Sequence, residues 1–376
     1  MRLYRRLLLV ATLIAFAVIA LGAYVRLSDA GLGCPDWPGC YGHWLGVPDA
    51  PHEQQAAALA YPERPLDTGK AWKEMLHRYL AGTLGLLILA LCILAWRKES
   101  RSRQSPALPT ALLGIVGLQA ALGMWTVTLL LKPVIVTLHL IGGMTTLSIL
   151  VGMAVARFDA RLDDSTNPRM RLLGAAALLA ISIQIALGGW VSSNYAALAC
   201  ADFPTCQGQW LPPMDVTHAF SLYRDLGLTA DGALLPLEAL TAIHWSHRLG
   251  AVAVSLLAGS FAIALLRTGE RVWQTWGGVL LALLLAQVGL GIANVLLALP
   301  LGLAIAHNIG AACLLSATLS INILMYHCNQ RRHPQRNEPE RPEPGTGKLL
   351  PLAGAYEIRR VGLDAPVLSG YQHYSG

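Results

Sequence analysis

The sequence predicts an all-α polytopic membrane protein: eight transmembrane helices in two tandem four-helix bundles, related by a pseudo-two-fold axis along the membrane normal. Three observations predict it. The 376 residues are 54% hydrophobic and only 13% charged, with a mean hydropathy of +0.48, too apolar for an ordinary globular chain. Eight apolar runs are long enough to cross a bilayer. The last four runs also repeat the pattern of the first four. In lipid a spanning segment must satisfy its own backbone, so it is a helix or part of a closed barrel. Runs this long and this rich in Leu and Ala are helices.

The runs cover about 7–25, 75–96, 107–130, 134–156, 172–191, 239–266, 275–298 and 301–325. The first, preceded by Arg2, Arg5 and Arg6, has the charged start of a signal peptide. It is long for one, and a copy recurs at 172–191, so it reads as a retained helix. The third and fourth runs are split by Lys132-Pro133 and the last two by Pro300, giving two tight helical hairpins. Arg97, Lys98, Arg101 and Arg103 lie between the second and third runs. Arg157, Arg161, Arg169 and Arg171 lie between the fourth and fifth, and Arg267 and Arg271 between the sixth and seventh. Arg331, Arg332 and Arg336 follow the eighth. All fall on one side if both termini are cytoplasmic, as the excess of basic residues in inner loops requires. The location expected is the bacterial cytoplasmic (inner) membrane. The net charge of +6 is therefore a topology signal; the partner it implies is the lipid bilayer, not nucleic acid.

The organisation expected is a first half over 1–160, a second over 161–328 and a disordered cytoplasmic tail over 329–376. That tail opens with a Pro- and Glu-rich stretch that cannot bury a core. Leu21-Gly22-Ala23-Tyr24-Val25 corresponds to Leu187-Gly188-Gly189-Trp190-Val191. A Cys-X-Asp-aromatic-Pro-X-Cys-X-Gly-X-Trp-Leu motif runs from Cys34 to Leu45 and again from Cys200 to Leu211. His77-Arg78 corresponds to His247-Arg248, Gln119 to Gln287 and His139 to His307. Chance likeness of Leu-rich helices does not produce a shared loop motif. Four spans in each half bring both halves into the membrane the same way round, hence an axis along the normal. Two outer loops, about 26–73 and 192–238, are long enough to carry structure of their own.

Cys34/Cys40 and Cys200/Cys206 fall in those outer loops, where oxidising conditions permit disulfides. A structural disulfide in each half, Cys34–Cys40 and Cys200–Cys206, competes with a thiol redox couple. A metal site is disfavoured, since five intervening residues exceed the usual ligand spacing. Cys92, Cys313 and Cys328 lie within helices or at their inner ends and read as thiols.

His77, His139, His247 and His307 each sit a few residues inside an apolar run. A membrane-embedded imidazole is costly without a partner. At ~1.5 Å rise per residue all four lie roughly 5–10 Å below the outer surface, so two helices of each half can present imidazoles to each other across a bundle interior. Bis-imidazole ligation suits haem iron, and Gly142-Gly143 and Gly310 would let a flat macrocycle approach the backbone. The alternative is four hydrogen-bonded packing histidines; zinc or copper would find only two imidazoles per half and no thiolate. Arg78 and Arg248 are candidates to meet haem propionates, against simple snorkelling at the interface. Arg26, with Ser192 at its repeat position, is a weaker candidate. Where the second half reads His244-Trp-Ser-His247, the first reads Glu74-Met-Leu-His77. Glu74 therefore shares a helical face with His77 as a candidate acid/base or charge stabiliser, or as a first-turn acidic residue complementing the helix dipole. One altered site suggests that one half holds a cofactor and the other transforms a substrate.

Taken together, these residues resemble the haem A synthase family of cytochrome oxidase assembly enzymes over about residues 7–326. The likeness rests on eight helices in two halves, the Glu-X-X-His-Arg motif at Glu74–Arg78, one histidine in each even-numbered helix and a cysteine pair in each outer loop. The resemblance implies an oxidoreductase that converts the C8 methyl of haem O to a formyl group by successive hydroxylation, the resulting diol losing water. It implies haem b held by His247 and His307, and substrate haem O between His77 and His139 with Glu74 beside the reacting edge. It gives Cys34 and Cys40 a part in activity and leaves Cys200 and Cys206 structural. Haem O synthase and cytochrome oxidase assembly are the partners implied; a homo-oligomer stays open. His244 has no role in it. The rival readings are a di-haem b electron-transfer protein, with quinone as a candidate partner, and a transporter or haem exporter.

Overall fold

A computed structural model describes residues 2–97, 105–157 and 167–332, with side chains as far as residue 327. Lys98, Arg101, Arg103, Arg161, the tail from residue 333 onward with its Arg336, and the side chains of Cys328, Arg331 and Arg332 lie outside the described residues. The helices are α1 (Arg2–Leu27), α2 (Pro51–Ala60), α3 (Thr68–Trp96), α4 (Ala107–Thr128), α5 (Pro133–Val155), α6 (Pro168–Ser193), α7 (Val216–Ala219), α8 (Leu237–Leu266), α9 (Arg271–Leu296) and α10 (Leu301–Arg332). All but α2 and α7 are long and apolar enough to cross a membrane. Among the described residues the regular structure is all helical, and the chain is a multi-pass membrane protein.

Each span is close to its apolar run, and the ends differ for a local reason. Helix α3 starts at Thr68, before the apolar run, because Asp67 caps it by accepting the Lys70 N–H at 3.0 Å. Asn167 caps α6 through the Met170 N–H at 2.8 Å, with Pro168 at the first helical position, where its missing N–H costs nothing. Polar helix α2 was not expected; Glu53 accepts the N–H groups of Asp49 and Ala50, each at 3.0 Å, and fixes its start.

The local backbone repeats between halves. Leu130-Leu131 and Ala298-Leu299 turn the two hairpins in the left-handed region, with φ of 52°, 57°, 55° and 61°. The Leu131 N–H closes on Thr126 at 2.8 Å and that of Leu299 on Asn294 at 2.7 Å. Tyr41 and Gln207 match likewise, at 51° and 55°.

In the first half α1 packs on α3, α3 on α4, α4 on α5 and α5 on α1; in the second, α6 on α8, α8 on α9, α9 on α10 and α10 on α6. The histidine-bearing helices α3 and α5, and α8 and α10, thus stand across a ring from each other. Contacts α1–α10, α5–α6 and α5–α10 join the halves, around a shared apolar core that includes Leu8, Ile88, Leu147, Phe261, Trp273 and Ile321. Trp44-Leu45 and Trp210-Leu211 project from the two outer loops and are among the most exposed apolar residues, as interfacial aromatic anchors are.

Candidate functional site

His77 and His247 fall in the third turns of α3 and α8, and His139 and His307 in the second turns of α5 and α10. All four are half-buried. His77 is within electrostatic reach of His139, and His247 of His307, so each half brings its pair together across its ring. A glycine of a neighbouring helix backs each imidazole. A Cβ on Gly22 would lie 2.9 Å from His77 Cε1, one on Gly188 3.0 Å from His247 Cε1, one on Gly291 3.2 Å from His307 Cε1 and one on Gly123 3.5 Å from His139 Cε1. The glycines expected to admit a macrocycle behave differently. Gly142 and Gly310 are filled by the amides of Gln119 and Gln287, while Gly143 stays open.

Nδ1 of His77, His139 and His307 is enclosed and without a hydrogen-bond partner. A buried polar atom left so needs an explanation. Among the described residues no group of three His, Cys, Asp or Glu could hold a lone metal ion. Two facing imidazoles suit a metal whose remaining ligands arrive with it, as a porphyrin's do. The residues fit haem.

Over each pair lies a disulfide loop. The cysteines are bonded, Cys34 to Cys40 and Cys200 to Cys206, and all four are fully buried. Glu74, 5% exposed, accepts the Cys34 N–H at 3.0 Å on Oε2 and pairs with Arg78 at 2.5 Å on Oε1. It lies beyond the first turn of α3, so the helix dipole does not account for it. Arg78 also donates to the carbonyls of Asp36, Pro38 and Gly39. In the second half His244 stands in place of Glu74, with the Cys200 N–H 3.4 Å from Nδ1 and Arg248 Nε 3.2 Å from Nε2. Arg248 donates to the carbonyls of Thr205, Cys200 and Asp202 at 2.8, 2.9 and 2.8 Å. Arg26 reaches Ser192, its own repeat counterpart, donating to the carbonyl at 2.7 Å, and lies over the Tyr195 ring.

Within the second loop Asp202 accepts from the Thr205 hydroxyl at 2.5 Å, the Gln207 N–H at 2.6 Å and the Gly208 N–H at 3.0 Å. Thr205 first, then the two amides, pull its carboxyl down to about 2. An apolar groove of about 410 Å³ between α4, α5 and α10, lined by Leu108, Met153 and Tyr326, contains none of the four histidines.

The family described as cytochrome oxidase assembly protein, COX15-CtaA, matches residues 5–319. The chain belongs to this family. It is 41% identical over 324 residues to the haem A synthase of Shewanella oneidensis, covering 86% of this chain and 96% of that one. It is 31% identical over 334 residues to the haem A synthase of Methylobacterium radiotolerans, covering 83% and 87%. To that of Bacillus licheniformis it is 26% identical over 316 residues, covering 81% and 90%. The matched span takes in all four histidines, both disulfide loops and the Glu74 and His244 clamps.

Gln184 was not expected. Its Nε2 lies 3.0 Å from His247 Nδ1 and donates to the His247 carbonyl at 2.8 Å. A polar amide inside an apolar run is itself a signal.

Proposed function

We propose that this chain is a haem A synthase of a bacterial inner membrane, an oxidoreductase that takes the C8 methyl of haem O to a formyl group by successive hydroxylation. Family membership and relatives of that name support the reading. The observation that carries it is the pairing of four imidazoles across two helix rings, with a disulfide loop held by the carboxylate Glu74 at the first pair and by the imidazole His244 at the second. Equal sites would suit electron transfer alone; an altered one suits a division of labour. The halves 1–160 and 161–328 are proposed to be related by a pseudo-two-fold axis along the membrane normal, both termini cytoplasmic.

In this reading His247 and His307 hold haem b, and His77 and His139 hold and orient the substrate haem O. Haem b supplies a one-electron redox centre when bound. The apolar faces of the rings exclude water. Glu74 Oε1, in its pair with Arg78, is the carboxylate placed to take or hold a proton at the outer end of the first site. Arg78, Arg248 and Arg26 are the cations available to propionates. Cys34 and Cys40, buried as a disulfide, hold Glu74 in place through the Cys34 N–H and are the pair assigned a part in activity. Haem O synthase would supply the substrate, and cytochrome oxidase assembly would use the product.

Co-expression with a source of haem O, followed by porphyrin extraction and mass analysis, tests the reading. A formyl haem is expected. Two equivalent b haems and no modified porphyrin would instead identify a di-haem electron-transfer protein.

A further inference from the structure

The residue three places after each histidine is Gly142, Gly250 or Gly310 in three cases and Leu80 in the fourth. A Cβ on any of the three glycines would collide with a glutamine amide from the adjoining helix: Gln119 at Gly142, Gln184 at Gly250 and Gln287 at Gly310. Two of these amides are tied to the histidine they flank. Gln184 Nε2 donates to the His247 carbonyl at 2.8 Å and Gln287 Nε2 to the His307 carbonyl at 2.9 Å. The third, Gln119, fills the same notch beside His139. At His77 the arrangement is absent on both sides. Leu80 replaces the glycine, and Val18 occupies the position that the repeat assigns to Gln184. The Val18 backbone approaches the ring, as the Gln119 and Gln287 backbones approach His139 and His307, and Nδ1 closes no hydrogen bond in any of the three; what His77 alone lacks is a glutamine amide in the notch beside it.

We propose that this glutamine–glycine buttress sets which site keeps its haem: the buttressed pair His247/His307 retains, and the unbuttressed His77 lets the first site take up and release. Gln184 is a positioning residue. It acts through His247, flanking the ring at Nδ1 and fixing the backbone beneath it. The bond from Nε2 to the His247 carbonyl persists whichever ring nitrogen carries the proton. Gly250 is needed because a side chain there would occupy the amide's place. Val18 and Leu80 stand at the two corresponding positions and bring no side-chain amide to His77. A ligand already held in one orientation loses less freedom on binding. A site built to release its product needs the opposite.

The inference rests on the assignment of the two haem sites above, and its test separates the two. The full chain is purified in detergent with haem loaded, and haem loss to excess apomyoglobin is followed by the Soret band, without reference to turnover. Outer partners of a metal-bound histidine are worth about 10–100-fold in affinity. Gln184→Val, and Gln184→Met as a volume-preserving variant, should speed loss from the second site about tenfold or more. The paired change Val18→Gln with Leu80→Gly should slow loss from the first site by a similar factor and raise haem content per chain. Loss rates within twofold of the parent in variants that keep both disulfides would overturn the buttress. His77→Ala and His247→Ala accompany them: if these empty their sites while the buttress variants change nothing, the buttress alone fails. If they leave haem content unchanged, the site assignment fails with it.

Discussion

Glu74 and His244 occupy equivalent places in the two halves and meet the same two donors. Glu74 takes the Cys34 N–H at 3.0 Å and Arg78 at 2.5 Å; at His244 the Cys200 N–H lies 3.4 Å from Nδ1 and Arg248 Nε 3.2 Å from Nε2. The difference is charge. The carboxylate neutralises Arg78, whereas Arg248 is held by an imidazole and three carbonyls. An imidazolium has no lone pair for either donor, so these contacts require the neutral ring. The clamp therefore leaves a net positive charge above the second pair and none above the first.

Removing that carboxylate should separate chemistry from cofactor retention. Glu74→Ala is expected to abolish conversion of haem O while the haem b proposed for His247 and His307 stays. Porphyrin extraction and a Soret spectrum of the same preparation measure both. Full turnover in Glu74→Ala would remove Glu74 from the mechanism. His247→Ala is expected to do the reverse of the spectral result, emptying the second site.

Arg78→Met should loosen the first loop. Arg78 is bonded to three loop carbonyls as well as to Glu74, and its loss strands a buried carboxylate. Breaking a buried pair in this way costs about 3–5 kcal/mol. The Cys34–Cys40 bond, fully buried in the parent, should then become reducible by external thiol, as seen by alkylation and mass. Unchanged protection would show that the loop is held by its apolar contacts with Tyr41, Val47 and Met75.

What the sequence reveals and what it hides follow from the physics of each feature. The eight spans are legible because lipid forces every apolar run into a helix, and four histidines stand out because such groups are expensive there. The start of α3 at Thr68 is hidden because its first turns are polar and capped by Asp67. Helix α2 is hidden because it is too short and polar for hydropathy to find. Beside Arg78, Glu74 meets a backbone N–H 40 residues away, a contact made by the folding of a loop that no spacing rule describes. The role of His244 is hidden for the same reason. Gln184 is hidden because matching residues define the repeat, and its counterpart is Val18.

Asp202 gives the second loop a dependence on acid. Its carboxyl, near 3.8 in the absence of partners, is pulled down to about 2, chiefly by the Thr205 hydroxyl and then by the Gly208 and Gln207 amides. A lowered folded value means that the stabilisation is fully present above about 4 and is lost as pH falls toward 2. Hydrogen exchange at Gln207 and Gly208 should accelerate across that window. Thr205→Val, which removes the largest contribution, should shift the window upward. Exchange that is flat from pH 4 to 2 would show that Asp202 does not hold this turn.

His244→Glu supplies the counter-charge that the second clamp lacks. In either neutral tautomer an imidazole has one acceptor nitrogen, yet the Cys200 N–H and Arg248 Nε approach both ring nitrogens. One of the two donors is therefore poorly met. A carboxylate accepts both, as Glu74 does in the first half. Hydrogen bonds to a charged acceptor contribute about 1.5–3 kcal/mol, so the variant should unfold at higher temperature, provided the glutamate adopts the conformation of Glu74. The charge above the second pair falls by one unit, so the reduction potential of a haem held there should drop, read by spectroelectrochemistry. A potential unchanged from the parent would mean that the Arg248 charge is screened from the haem, and that the contrast between Glu74 and His244 sets loop packing alone.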